Sequence, residues 1–509
     1  MAKTKKREEF GDFQTPLRLA NDICNVLRRR GVEPAAILEP TCGEGSFLVA
    51  ALRVFSEAQA AVGVEINPIH LAKARSSFLG MNVVTMPSLI QANFFQLDWD
   101  TLVDALPSPL LVIGNPPWVT NAALGRLNSS NLPQKNNYQN HKGLDAVTGK
   151  SNFDISEWML LRGLDWINNR EAVLAVLCKI AVARKVLLHA WKTGITIEQA
   201  TIHGINAADH FGAAVKACLL TLHSNPGSVS QSCEVFDALD DPVPSSEIGY
   251  ENGKLIADVR AFFRWRHLEG LERRRWRSGV KHDCARVMEL RIVEGALRNG
   301  LGEDVDIEDT YLYPMLKSSD VANGNVTDPS RYMLVTQHHV GEDTKTIRFN
   351  APKTWDYLES HAELLDGRRS TIYKGRARFA VFGVGDYTFA PWRIAISGFY
   401  RHLMFRAVGG FQGKPFVLDD TCYSLPCSSE TEANFLLTCL NSEPAREFFS
   451  AFVFWDAKRP ITVDLLRRID LIGLANELGK KDEAESFLGM SNSTWADDSF
   501  ENSTQRLFP

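Results

Sequence analysis

From residue 35 to residue 93 short apolar runs alternate with amphipathic helical patterns. "AAILEP" is followed by "SFLVAALRVFSEA", "AVGVEI" by "PIHLAKARSSFL", and then comes "SLIQANFF". That rhythm constrains the chain more than any other feature. Parallel strands need a crossover between them, and a helix is the usual crossover, so βαβαβ alternation leads to a sheet covered on both faces. The alternation continues through "PLLVIGN", the helical "DISEWMLLRGLDWI", the strand-like "AVLAVLC", the helical "VARKVLLHAWK", and two more strand candidates, "TIEQATIHGI" and "KACLLTLHS". The fold class expected is α/β, one doubly wound sheet. Ligands of such sheets sit at the carboxyl ends of the strands, and the unusual segments of this chain fall there.

Four strand ends stand out. In "LEPTCGEGSFL", Glu39 and Pro40 close the first strand, and Gly43 and Gly45 let the backbone approach a ligand before a helix opens at Ser46. A dinucleotide fold would show GxGxxG at this point, and the turn does not. Glu65, in "GVEIN", ends the second strand with a carboxylate suited to accept both hydroxyls of a ribose. Asn93, in "QANFF", offers an amide to an adenine edge, with Phe94 to pack on the ring. The fourth end is "LVIGNPPWVT". Two successive prolines cannot donate backbone hydrogen bonds and hold the chain extended, so Asn115-Pro116-Pro117 makes an exposed elbow instead of more sheet. Its carbonyls, beside the flat face of Trp118, suit a planar ligand that carries an amino group.

Composition narrows the class. The 509 residues allow two to four domains, and 45% hydrophobic with 23% charged residues is ordinary for a globular protein. No apolar run approaches the length of a membrane span, and "MAKTKKREEFGDF" lacks the apolar stretch of a signal peptide, so a cytoplasmic location is expected. The nine cysteines are scattered, odd in number and without a CxxC pair, which points to neither a disulfide framework nor a zinc site, and no metal is expected. "GLDAVTGKS" has five residues between its glycines where a P-loop has four, and no strand precedes it.

Taken in order, "FQTP", "EPTCGEGSF", "GVEINP", "QANFF" and "GNPPW" resemble the γ-class, Taq-type, N6-adenine DNA methyltransferases of restriction-modification systems. The resemblance implies a class I S-adenosylmethionine-dependent methyltransferase fold, Rossmann-like, with a C-terminal α+β target-recognition domain. It also implies that Thr15 and Pro16 meet the methionine part of S-adenosyl-L-methionine and that the loop from Glu39 through Pro40, Gly43 and Gly45 to Phe47 wraps it. Glu65 would then hold the ribose, and Asn93 and Phe94 would face the adenine. The family usually has Asp where this chain has Asn93, so a charge toward the cofactor is lost there. Asn115 and the Pro116 carbonyl would accept protons from the target amine, Pro117 would stiffen the elbow, and Trp118 and Phe211, in "HFGAAVKACLLTL", would stack on the base. The same elbow chemistry serves N4-cytosine, RNA-base and protein-glutamine methyltransferases. The "LPCSS" around Cys427 is like the proline-cysteine pair of cytosine C5 enzymes, but it lies far from where that pair belongs, and Cys427 is read as structural.

The net charge of −5 argues against a uniformly basic coat, yet basic residues interleaved with aromatics concentrate in 260–298 and again in 368–406. These stripes read as surfaces for double-stranded DNA, the second with its basic side chains on one face of a sheet. The expected division is a methyltransferase domain over 1–230, a DNA target-recognition region over 231–475, and a disordered tail over 476–509. The segment 119–152 is expected to be a mobile loop beside the site. No nuclease motif is recognised, and the catalytic domain starts too close to the first residue to leave room for one, so any restriction endonuclease is expected as a separate partner.

Overall fold

In the computed structural model, residues 14–119, 154–270 and 274–488 are described. The chain divides into two compact units, one ending at Val259 and the other beginning at Arg260.

The first unit is built on a sheet of ten strands among the described residues. They are β1 (Ala36–Glu39), β2 (Ala60–Glu65), β3 (Ser88–Gln91), β4 (Leu110–Gly114), β5 (Ala172–Lys179), β6 (Gln199–Ile205), β7 (Ala217–Ser224), β8 (Ser232–Phe236), β9 (Ser246–Glu251) and β10 (Lys254–Ile256). Their spatial order is β10-β9-β8-β6-β7-β5-β4-β1-β2-β3. β3, β2, β1, β4 and β5 are parallel, and β7 runs antiparallel between β5 and β6. This is the class I methyltransferase order, as expected. Strands β1 and β4 are buried at every position, the continuous apolar pattern of strands covered on both faces. Helices 17–29, 46–54, 155–167 and 180–193 do the covering, each through a run of buried aliphatic side chains.

The sheet does not stop near residue 230. β8 pairs parallel with β6, Thr201 opposite Glu234, and β9 and β10 extend it antiparallel to Ile256. The expected boundary at 230/231 therefore moves to 259/260. "SNPGSVSQS" is the connection into β8, and these edge strands are short and half-polar, so they carry no strong apolar signal.

The second unit is α+β. Among the described residues it holds a four-stranded, a five-stranded and a two-stranded sheet, with strand 392–397 paired on both sides in the first and helix 430–440 packed against it. Cys427 ends strand 422–427, fully buried, and burial pushes its thiol up to about 12, so no thiolate nucleophile forms there. The expected tail from 476 is also corrected. Helix 481–488 buries Ala484 and sets Phe487 against Phe435, ring centroids 5.4 Å apart. The positions beyond 488, and the expected loop of 119–152 from residue 120 onward, lie outside the described residues.

His203, on β6, is wholly buried and stacks on Phe236 at 4.5 Å with 5° between the rings; the Arg30 guanidinium sits 4.4 Å from the Phe236 centroid. Burial, reinforced by the Arg30 charge, lowers its pKa to about 4. The unfolded chain therefore binds a proton between about pH 4 and 6.5 that the folded chain refuses, and stability rises with pH across that window. The full contribution is present above 6.5, and its loss on acidification amounts to about 3 kcal/mol. His203→Phe, which keeps the stack, is expected to flatten the dependence when urea midpoints at pH 5 and 7.5 are compared with those of the unaltered protein.

Candidate functional site

The strand order reverses between β1 and β4, and a cleft opens at their carboxyl ends. Expected residues that line it are Thr15, Glu39, Pro40, Gly43, Glu65, Phe94, Asn115 and Pro117. The sequence reading did not single out Gln14, Thr41, Asn67, His70 or Met159, which also line it. Gln14, Thr41 and Asn67 had a signal, since they neighbour Thr15, Pro40 and Glu65 inside the quoted motifs.

The floor is the turn after β1. Gly43 and Gly45 have φ of +52° and +84°, left-handed values that glycine adopts without strain. A Cβ at Gly43 would fall 2.4 Å from Gln14 Oε1, which already accepts the Glu44 N–H at 3.0 Å. Glu65 holds this turn from the next strand. One carboxylate oxygen accepts the Gly43 N–H at 2.9 Å and the other the Asn67 N–H at 2.7 Å. Asn67 in turn caps helix 68–77, its side-chain oxygen accepting from Ile69 N at 3.0 Å. Thr41 contributes a buried hydroxyl oxygen that finds no hydrogen-bond partner among the described residues.

Glu39 lies deeper. It is 3% exposed and accepts the Leu48 N–H at 3.1 Å, tying β1 to the start of helix 46–54. Burial pushes its carboxyl well above the ordinary range and the nearby Glu65 charge adds to this, while the Leu48 N–H opposes it. Phe47 is a core residue, 1% exposed, and Gly45 is the N-cap of the same helix with Ala74 close by. Pro16 caps helix 17–29. Phe47, Gly45 and Pro16 shape the cleft from behind instead of lining it.

On the far wall, Phe94 presents its ring to the cleft and is clasped by aromatic neighbours, with Trp99 at 4.9 Å and Trp166 at 5.9 Å. Asn93 stands behind it, its side-chain oxygen accepting the Phe95 N–H at 2.9 Å, a local turn that fixes where Phe94 points.

The elbow follows β4. Asn115 donates from its amide nitrogen to Thr15 Oγ1 at 3.3 Å, which turns the amide oxygen away from Thr15. No described residue donates a hydrogen bond to the Pro116 carbonyl. Pro117 lines the main cleft, while Pro116 lines a small cavity behind it. Trp118 is 6% exposed and its indole N–H points to the Leu177 carbonyl at 3.4 Å. Phe211 meets it edge to face, with centroids 5.2 Å apart and 74° between planes. The expectation of a base between these rings is corrected for the arrangement as it stands: stacking on two faces needs planes about 7 Å apart, and these rings touch.

Part of each basic stripe of the second unit is neutralised or buried. Arg264 pairs with Glu447 at 2.9 Å, Arg274 with Glu432, and Arg298 with Asp304 at 2.8 Å. Arg378 pairs with Asp366 at 2.9 Å and Glu359 at 3.6 Å. Arg393, on the only strand of any length in the second stripe, is buried and donates to the Thr388 and Ala390 carbonyls, so no row of basic side chains shares a sheet face. Arg260, Arg266, Arg286 and Arg291 of the first stripe and Arg369, Lys374, Arg376 and Arg401 of the second are exposed. Among the described residues no cluster of His, Cys, Asp and Glu could hold a metal ion, and no helix is long and apolar enough to cross a membrane.

No protein-family model matches the chain. A type II methyltransferase of Nostoc sp., M.NspV, is 45% identical over 472 residues, covering 92% of this chain and 98% of that protein. M.CvrRI, a type II methyltransferase of a Paramecium bursaria Chlorella virus, is 33% identical over 116 residues, 23% of this chain and 26% of that one. Among solved structures, the type IIL restriction-modification enzyme MmeI in complex with DNA aligns over 93% of this chain and 68% of its own, at a TM-score of 0.50 and 13% identity, a likeness of fold.

The Glu65 latch yields a prediction. Glu65→Ala removes an ionised acceptor from two backbone N–H groups, each such bond contributing about 1.5–3 kcal/mol. Thermal unfolding of the variant without added ligand is expected at a clearly lower temperature, and an unchanged midpoint would show that the latch contributes nothing.

Proposed function

The chain belongs to the type II DNA methyltransferases of restriction-modification systems, and from that membership we propose that it methylates adenine N6 at a specific sequence in duplex DNA, as a γ-class enzyme whose cognate endonuclease is a separate protein. The observation that carries the reading is the Asn115-Pro116-Pro117-Trp118 elbow, which ends β4 at the same cleft that Glu65 and Phe94 line.

The cleft suits S-adenosyl-L-methionine. Thr41 offers a buried hydroxyl that lacks a protein partner among the described residues, Glu65 brings a carboxylate to the end of β2, and the Gly43 turn leaves no room for a side chain beneath a ligand. Thr15 and the turn from Pro40 to Gly43 would hold the methionine part, Glu65 the ribose and Phe94 the adenine. When bound, this cofactor supplies an electrophilic sulfonium methyl group.

The chain's own residues act on the amine. The lone pair of an adenine N6 is delocalised into the ring, so the nitrogen attacks poorly while planar. The Asn115 oxygen and the Pro116 carbonyl accept its two N–H groups, favour the pyramidal nitrogen and stabilise the positive charge that grows as the N–C bond forms. The prolines hold the acceptors still, and the proton lost after transfer leaves through them to water. Because N6 cannot reach a strand-end cleft from inside a duplex, the target base is extruded. Trp118 supplies a face for it once Phe211 and Trp118 separate.

Sequencing that detects modified bases, on DNA from cells expressing the chain, should show N6-methyladenine at one motif; N4-methylcytosine there would transfer the same chemistry to the other base. Asn115→Ala is expected to lose methyl transfer, measured with tritiated methyl groups, while calorimetry shows cofactor affinity nearly intact. Wild-type turnover by that variant would remove Asn115 from the mechanism.

The second unit is proposed to supply the DNA surface, with Arg369, Lys374 and Arg376 among its exposed cations. Arg376→Ala should weaken DNA binding and lower the slope of log affinity against log salt by about 1. Arg378→Ala should change that slope less, because Asp366 and Glu359 already compensate its charge.

A further inference from the structure

The end of β5 grips the residue that closes the elbow at two points. The Leu177 carbonyl receives the Trp118 indole N–H at 3.4 Å, and the Lys179 ammonium donates to the Trp118 carbonyl at 3.2 Å. The same ammonium meets Asp154 Oδ2 at 2.6 Å. Asp154 is buried, with 8% of its side chain exposed, and its other oxygen caps helix 155–167 by accepting from Ser156 N at 3.1 Å and Ser156 Oγ at 2.6 Å. The next residue, Ile155, donates its N–H to the Val119 carbonyl at 2.9 Å. Residues 118–119 and 154–155, far apart in the chain, are thus joined to each other and to the last residue of β5.

We infer that Lys179 is a positioning residue for methyl transfer: its ammonium, compensated by Asp154, pins the Trp118 carbonyl and so fixes the peptide planes from which the elbow presents its acceptors. The inference rests on the elbow being the catalytic element. Proline rings fix φ at 116 and 117, but ψ at Pro117 and both dihedrals at Trp118 are free to rotate. Holding the Trp118 carbonyl and indole at once removes that freedom, since the two groups lie on either side of the same Cα. The carboxylate matters as much as the amine. Positive charge grows on the target nitrogen during transfer, and an uncompensated ammonium behind the elbow would oppose it, whereas a lysine-aspartate pair adds no net charge. A buried charge left without its partner is also costly, so the two groups should act as a unit.

Three variants test this in the full-length chain: Lys179→Met, Lys179→Arg and Asp154→Asn. Each is assayed for kcat of methyl incorporation into DNA whichever base accepts it, for S-adenosylmethionine and DNA affinity, and for Tm, with Asn115→Ala alongside. The expected result is a fall in kcat of tenfold or more for Lys179→Met with both affinities within about twofold of wild type, a comparable fall for Asp154→Asn, and substantial recovery in Lys179→Arg, whose guanidinium can span carbonyl and carboxylate. A Lys179→Met enzyme with kcat within twofold of wild type overturns the inference. So does a loss of kcat that follows loss of both affinities and is not rescued by arginine, because that is the pattern of a merely structural residue. Should Lys179→Met fail to fold, Asp154→Asn and Lys179→Arg decide by the same criteria. An active Asn115→Ala would instead overturn the reading of the elbow, and an inactive one beside a normal Lys179→Met would overturn the role of Lys179 alone.

Discussion

The reversal of strand order between β1 and β4 is the constraint on which the site depends. Crossovers in a parallel sheet are right-handed, so the chain leaving β1 goes to one side of the sheet and the chain leaving β4 to the other. A crevice is left above the two strand ends that no helix can cover. Everything chemical is then a matter of what those ends carry. β1 exits into a glycine turn that keeps its backbone low, and β4 exits into a proline elbow that keeps its backbone raised and stiff. Glu65, arriving from the neighbouring strand, ties the turn to the end of β2 by accepting the Gly43 N–H with one oxygen and the Asn67 N–H with the other. The buried β1–β4 pairing, from Ala36 opposite Leu110 to Leu38 opposite Val112, sets the distance between turn and elbow before any side chain is chosen.

The parallel half of this arrangement was legible in the sequence because buried parallel strands are continuous apolar runs, and because glycines and prolines at their ends have few other uses. The antiparallel edge was not. β8 to β10 are short and partly exposed, and "SNPGSVSQS" reads as a domain edge when it only precedes another strand of the same sheet. Helix 481–488 was hidden by its composition: Lys, Asp, Glu and Ser dominate it, and it is held by the burial of Ala484 and by Phe487 packing on Phe435, some fifty positions earlier. The basic stripes were only partly legible for a related reason. Charge along a sequence says nothing of partners remote in the chain, and the glutamate that meets Arg264 stands at position 447.

Within the site the residue types were legible and the division of labour was not. Glu39, Phe47 and Asn93 lie at the expected places, yet the structure shows them bonding or packing against the protein itself: a buried carboxyl on a helix N-terminus, a core ring, an amide in a local turn. Motif position identifies which loops surround a ligand. It does not separate the side chains that face the ligand from those that hold the loop, since both are fixed by the same backbone. His70 and Met159 reach the cleft from helices 68–77 and 155–167, outside the quoted motifs.

The antiparallel course of β7 has a consequence of its own. In a purely parallel sheet the ligand-bearing edge receives only strand exits, and every residue it offers lies just after a strand. With β7 reversed, Ala217, its first residue, stands opposite both Lys179 and Ile205, the last residues of β5 and β6. The edge thereby gains an entrance, and the short helix 207–211 is delivered to it by a connection that begins and ends at the same rim. That rim loop carries Phe211 to the elbow, where its ring meets Trp118, without passing over the turn after β1. Substitutions and length changes in it can thus alter the surroundings of the elbow while leaving the turn after β1 untouched, so the two sides of the crevice are free to diverge separately.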